Sequence, residues 1–185
     1  LTVAARLLAA AGYEAIGLDH FARPDDGLAV ACAEGRLRRN FQGYTADDAG
    51  VLLGFGASAI GALPAGYAQN HAPLRAYADA IAHGTLPIAR GIALGAADRL
   101  RRDLIEELMG TLAVDLDAVC RRHGTGLAPF ADALARLQPL AADGLVVVED
   151  ARITVTAAGR PFVRLAAAAF DAYLDRGQEQ GTVRH

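Results

Sequence analysis

Apolar and polar positions alternate along this chain with helical and strand periods that predict most of its elements. Residues 1–11 have helical spacing, and Gly12 is placed to end that helix. Tyr13 to Leu18 reads as a short buried strand running into Asp19-His20, so helix, turn and strand suggest the αβ unit of a parallel sheet. Function in such sheets sits just past the carboxyl ends of strands, where Asp19 and His20 would lie. Arg23-Pro24-Asp25-Asp26 predicts a turn and a capped helix start, with the helix running to about Glu34 and Gly35 ending it. A second strand is expected at Val51 to Gly56, and a helix between His71 and His83. Beyond Gly91, Leu100, Leu104, Ile105, Leu108 and Leu112 form one apolar stripe of an amphipathic helix. Shorter helices fit Leu116–Arg122 and Pro129–Ala142. Leu145–Val148 and Ile153–Thr156 read as a hairpin, and Thr156–Leu174 as a closing helix. Helices, a hairpin wing and a final helix suggest a winged-helix arrangement, with a boundary near residues 88–97.

Composition narrows the classes. Hydrophobic residues make up 53% of 185 and the net charge is −3, which excludes disorder. Two cysteines, Cys32 and Cys120, cannot build a disulfide framework or a structural zinc site. No apolar run reaches the ~18 residues of a membrane span, and no signal peptide stands at the start. The opening reads as the middle of a helix, which suggests a piece of a longer chain. The candidate groove-reading helix Pro129–Ala142 carries Arg136 as its single base, so no nucleic-acid partner is expected. The excess of Ala and the absence of Lys read as a bias of the source genome.

Four clusters carry chemistry. Asp19-His20 could form an acid–base or orienting pair, or simply close a strand end. Arg36, Arg38 and Arg39 could hold an anion, because guanidinium forks match carboxylates. Their neighbours Asn40-Phe41-Gln42-Gly43-Tyr44-Thr45 are unusual for a solvated turn. Gly54-Phe55-Gly56 lacks the third glycine of a dinucleotide fingerprint, since Ala59 stands there. Tyr67-Ala68-Gln69-Asn70 is a second polar-aromatic cluster. Cys120 and His123 read as surface or packing residues, and His71 and His83 as exposed.

Together these clusters resemble the bacterial oxygen-independent coproporphyrinogen III oxidases. The resemblance is carried by Gly17-Leu18-Asp19-His20-Phe21-Ala22, Arg39 to Thr45, Leu53 to Ile60, Tyr67 to Asn70, Arg90-Gly91 and Val155 to Arg160, and spans Tyr13 to Arg176. It implies radical SAM chemistry in haem biosynthesis. In that family a CxxxCxxC motif in a partial (β/α) barrel binds a 4Fe-4S cluster. The cluster reduces S-adenosylmethionine to a deoxyadenosyl radical, which abstracts hydrogen from a propionate of coproporphyrinogen III. Loss of CO2 and an electron leaves a vinyl group, and two rounds give protoporphyrinogen IX. Two S-adenosylmethionine molecules bind near the cluster.

The resemblance therefore implies an α/β fold: the C-terminal strands and helices of a partial (β/α) radical SAM barrel over 1–90, then a mostly helical, winged-helix-like domain with a β-hairpin over 91–185. It places S-adenosylmethionine against Ile60 and Gln42, and the substrate rim at Asp19, His20, Arg39 and Tyr44. The chain has no CxxxCxxC, so the cluster ligands are expected outside it and no metal is expected within it. The expected partners are coproporphyrinogen III and a missing N-terminal barrel portion. A cytoplasmic, monomeric parent enzyme is expected, and an inactive fragment. The alternative is a non-catalytic winged-helix-like binding module or a haem-trafficking relative.

Overall fold

The computed structural model describes residues 2–174. Contacts group the residues up to Ala46 with those from Leu100 onward, while Asp47–Arg99 forms a second unit.

The first unit begins with helix α1 (Thr2–Ala10), strands β1 (Glu14–Ile16) and β2 (His20–Ala22), and helix α2 (Gly27–Ala33). Asp26 caps α2 by accepting a hydrogen bond from the Leu28 N–H at 2.8 Å. β1 pairs antiparallel with β2, Ile16 opposite His20, which corrects the parallel αβ reading of residues 1–18. The three residues Gly17-Leu18-Asp19 are enough to reverse the chain because Gly17 takes φ +53°. Strands β3 (Arg38–Arg39) and β4 (Tyr44–Thr45) make a second small hairpin. Ile16, Ala29, Ala31, Leu37 and Tyr44 form the core of this region.

Helix α4 (Ala96–Thr111), helices α5 (Leu116–Arg122) and α6 (Ala131–Ala142), and the hairpin β9 (Val146–Glu149) and β10 (Arg152–Val155) follow the predicted pattern closely, and strand β8 (Ala113–Asp115) lies between α4 and α5. The stripe on α4 is buried at Leu100, Leu104 and Leu108, each Leu worth about 1.5–3 kcal/mol of burial. It meets Leu116 and Val119 of α5, Leu137 of α6 and Ile153 of β10 in one core. β8 was not expected. It completes a three-stranded antiparallel sheet in the order β8-β10-β9, with Ile153 opposite both Val114 and Val148.

The closing helix is shorter than expected. The Thr156 hydroxyl donates to the Gly144 carbonyl at 2.8 Å and accepts from the Gly159 N–H at 3.0 Å, so the chain turns there. Gly159 lies against the Leu145 carbonyl and Pro161 cannot donate a helical bond, so a 3-10 turn (Arg160–Phe162) precedes α7 (Val163–Ala168).

The second unit holds strands β5 (Ile60–Leu63), β6 (Gly66–Asn70) and β7 (Ile88–Ala93), and helix α3 (Leu74–Ala82). The sheet is antiparallel in the order β5-β6-β7. The strand expected at Val51–Gly56 is reduced to a single bridge, Leu52 to Ala62. Two glycines, Gly54 and Gly56, deprive it of side chains to pack. Among the described residues every strand pair is antiparallel, and no helix is long and apolar enough to cross a membrane.

Candidate functional site

In the first unit, four sequence-selected residues meet around one ring. Tyr44, first residue of β4, is buried, and its ring fills the space that a Cβ on Gly17 would take. Its hydroxyl accepts the Leu18 N–H at 2.7 Å and an Arg39 Nη1 hydrogen at 3.3 Å, and donates to the Met109 carbonyl at 3.3 Å. That is the full capacity of a phenol, one donor and two lone pairs. The Arg39 guanidinium carbon lies 5.0 Å from the ring centroid, a cation–π contact that holds the charge at the edge of the core. His20 meets the same ring edge-on, with centroids 5.1 Å apart at 79°. Its Nδ1 lies 2.9 Å from the Asp19 carboxylate, and both side chains are roughly half exposed. Asp19 thus fixes the imidazole through one nitrogen and leaves the other facing outward from that pair.

Asp19 and His20 do not stand past the end of a parallel strand. Asp19 ends a hairpin turn and His20 opens β2. The cluster offers a guanidinium and an imidazole on one aromatic support, and such a pair binds carboxylates. Gln42 lies in the loop of the β3–β4 hairpin. Asn40 Oδ1 accepts from the N–H groups of Gln42 at 2.8 Å and Gly43 at 3.2 Å, so the backbone is fixed while the Gln42 side chain is exposed.

Ile60 belongs to the second unit. It opens β5 opposite Gln69 and is half-buried. An aliphatic side chain and an amide each suit a sulfonium nucleoside, which has both apolar and hydrogen-bonding surface. An iron–sulfur cluster does not suit this chain. Clusters are held by several thiolates, and here Cys120 is buried and Cys32 half-buried on a different helix. Burial pushes the Cys120 thiol up, with Asp117 adding to the effect. Among the described residues no group of three or more His, Cys, Asp or Glu could hold a metal ion.

His123 makes a structural pair instead. Its Nε2 lies 2.8 Å from Asp103, which also accepts from Arg102 at 3.2 Å, tying α5 to α4. His71 is half-buried and its backbone N–H donates to the Pro87 carbonyl at 2.8 Å. Sequence reasoning missed the backbone partners Leu18 and Met109, which no side-chain pattern signals. It also missed the part played by Asn70, which is buried beneath the Gly54-Phe55-Gly56 loop.

Residues 94–162 match the family model described as the HemN C-terminal domain. Oxygen-independent coproporphyrinogen III oxidase from Bradyrhizobium diazoefficiens is 51% identical over 175 residues, 95% of this chain and 39% of that protein. The protein of the same name from Escherichia coli is 45% identical over 168 residues, 90% of this chain and 37% of that one. A solved structure described as "Coproporphyrinogen III oxidase (HemN) from Escherichia coli is a Radical SAM enzyme" superposes with a TM-score of 0.87 at 44% identity, covering 94% of this chain and 40% of that chain. The chain therefore spans about two fifths of the length of these relatives. Over that span the chain matches the oxygen-independent coproporphyrinogen III oxidases, and the match is to their C-terminal part.

Proposed function

We propose that the chain is the C-terminal part of an enzyme that decarboxylates two propionates of coproporphyrinogen III to vinyl groups. The identity of 51% across 95% of the chain to a protein of that name carries this reading. The geometry agrees with it. The substrate bears several carboxylates, and the Arg39–Tyr44–His20 cluster, oriented by Asp19, presents a guanidinium and an imidazole on one rigid ring. These four residues form the substrate rim. Ile60 and Gln42 contact S-adenosylmethionine, which when bound with a reduced 4Fe-4S cluster supplies the hydrogen-abstracting radical. The cluster ligands belong to sequence outside this chain.

The finer architecture follows the same reading. Residues 1–90 complete a partial (β/α) barrel and 91–185 form the C-terminal domain, in accord with the family match from residue 94. The order α4, β8, α5, α6, β9, β10, with β10 in the middle of its sheet, supports a winged-helix-like description of that domain. The parent enzyme is a cytoplasmic monomer. The binding-module alternative is not favoured by matches to named oxidases.

The deciding experiment is an anaerobic assay of the full-length, cluster-loaded parent. Conversion of coproporphyrinogen III to protoporphyrinogen IX is expected. Failure to convert it, beside an active relative in the same assay, overturns the reading. Arg39→Ala in that parent raises the KM for the porphyrinogen about tenfold or more, as loss of a charge-assisted hydrogen bond of about 1.5–3 kcal/mol requires.

A further inference from the structure

The Tyr67-Ala68-Gln69-Asn70 segment has no task in the proposed reaction, yet its last residue is placed with unusual care. Asn70 is the one polar side chain buried among the described residues, 9% exposed at the end of β6. Its Nδ2 donates both hydrogens to one short loop, to the carbonyls of Gly54 and Gly56 at 3.0 Å each. Its backbone N–H donates to the Ala59 carbonyl at 3.0 Å. Neighbours hold the rest of the loop. The Gly56 N–H donates to the Tyr77 hydroxyl at 3.2 Å, and the Ser58 N–H to the His71 carbonyl at 2.9 Å. Gln69 Nε2 donates to the Ser58 carbonyl at 3.1 Å, while its oxygen accepts from Arg90 Nε at 2.8 Å.

This loop would not keep its shape unaided. Ser58 sits at φ +62°, which costs a non-glycine residue about 1 kcal/mol or more, and Gly56 sits at φ +97°. Gly54 lies against the backbone of Ile60, where a Cβ would be 2.9 Å from the Ile60 carbonyl carbon. A buried amide is costly unless both hydrogens are satisfied. Here both are spent on a loop that carries an 86% exposed Phe55 and leads directly into Ile60. Rigidity of this kind in an exposed segment suits a surface kept in shape for a ligand.

We propose that Asn70 is a positioning residue for S-adenosylmethionine: it fixes the Gly54–Ile60 loop so that Ile60 meets the cofactor in a preformed geometry. The proposal rests on the placement of the cofactor at Ile60. Asn70 does not touch the cofactor, and it acts through the loop.

The test uses the full-length parent and two readouts, equilibrium binding of S-adenosylmethionine and amide hydrogen exchange over residues 54–60. Asn70→Asp keeps the shape and removes both donors. It is expected to quicken exchange at Gly56 and Ser58 and to raise the dissociation constant of one S-adenosylmethionine binding step about tenfold, while porphyrinogen affinity stays unchanged. Tyr77→Phe removes a single oxygen at the other side of the loop and is expected to shift both readouts the same way, by about two- to fivefold. It keeps the proposal falsifiable if the Asp variant does not fold. Faster exchange with unchanged cofactor affinity would make Asn70 merely structural and overturn the proposal, as would unchanged exchange. Ile60→Ala separates the two layers. Weakened binding there beside a silent Asn70→Asp overturns the proposal alone, whereas a silent Ile60→Ala overturns the cofactor placement and the proposal with it.

Discussion

At the scale of single residues, the contact of Gly17 with Tyr44 decides whether the candidate rim exists. Gly17 needs both its positive φ and its missing Cβ, because the Tyr44 ring fills that space. Gly17→Ala therefore costs at least about 1–2 kcal/mol from backbone conformation alone, and more from displacing the ring. Urea denaturation measures the total. In a Tyr44→Ala background the same change should cost the backbone part only, and additive costs would show that the two do not couple. The rim was legible as residue types: an acid next to a histidine, and an arginine close before a tyrosine. Its assembly was not. What joins the two stretches is a glycine accommodating a ring and two backbone groups, Leu18 N–H and Met109 C=O, which are present at every residue and so leave no mark in sequence. The expectation that Asp19-His20 stand past the end of a parallel strand fails, since a hairpin presents them.

At the scale of elements, α4 shows where a local rule is overridden. In an ordinary helix interior Gly→Ala gains about 0.5–1 kcal/mol. Gly110 lies against the Leu37 carbonyl, so Gly110→Ala forces α4 away from the strand region and is expected to lower the denaturation midpoint. A rise would mean that the approach relaxes freely. The same helix carries a pH prediction. Desolvation raises the Glu106 carboxyl above its ordinary 4.5; Arg102 pulls it down, Asp103 raises it and Arg38 pulls it down. The folded state then holds the proton more tightly than the unfolded chain. Stability falls as pH rises from about 4.5 through the raised value. Glu106→Gln removes that loss, so the variant should be more stable than the parent at pH 7 and no different well below pH 4. Stability curves at both pH values check the sign. α4, α5, α6 and the β9–β10 hairpin were legible because leucine and valine repeats bury one face. β5, β6 and β7 were not. Their residues include Gly, Ala, Gln and Asn, and β7 is exposed along its whole length, so no period of two marks a buried side.

At the scale of the molecule, chemistry and chain part company. The family's reaction needs a cluster that several cysteine thiolates hold. This chain has two cysteines, which stand on different helices, and burial pushes the Cys120 thiol up. The candidate rim and the Ile60 loop can supply orientation, charge and shape, but nothing among them can make or accept a single electron. The 185 residues alone should therefore gain no visible iron–sulfur absorption when incubated anaerobically with iron and sulfide, and should turn over no coproporphyrinogen III with reductant and S-adenosylmethionine. A stable cluster on the isolated chain would overturn the division of labour, and turnover would overturn it outright. Because the chain matches only 39% of the length of its Bradyrhizobium relative, activity is expected of a polypeptide that also carries the portion this chain lacks. In that setting Arg39→Ala should act on substrate affinity and Asn70→Asp on cofactor affinity. Separate effects of the two variants would show that different residues serve substrate and cofactor.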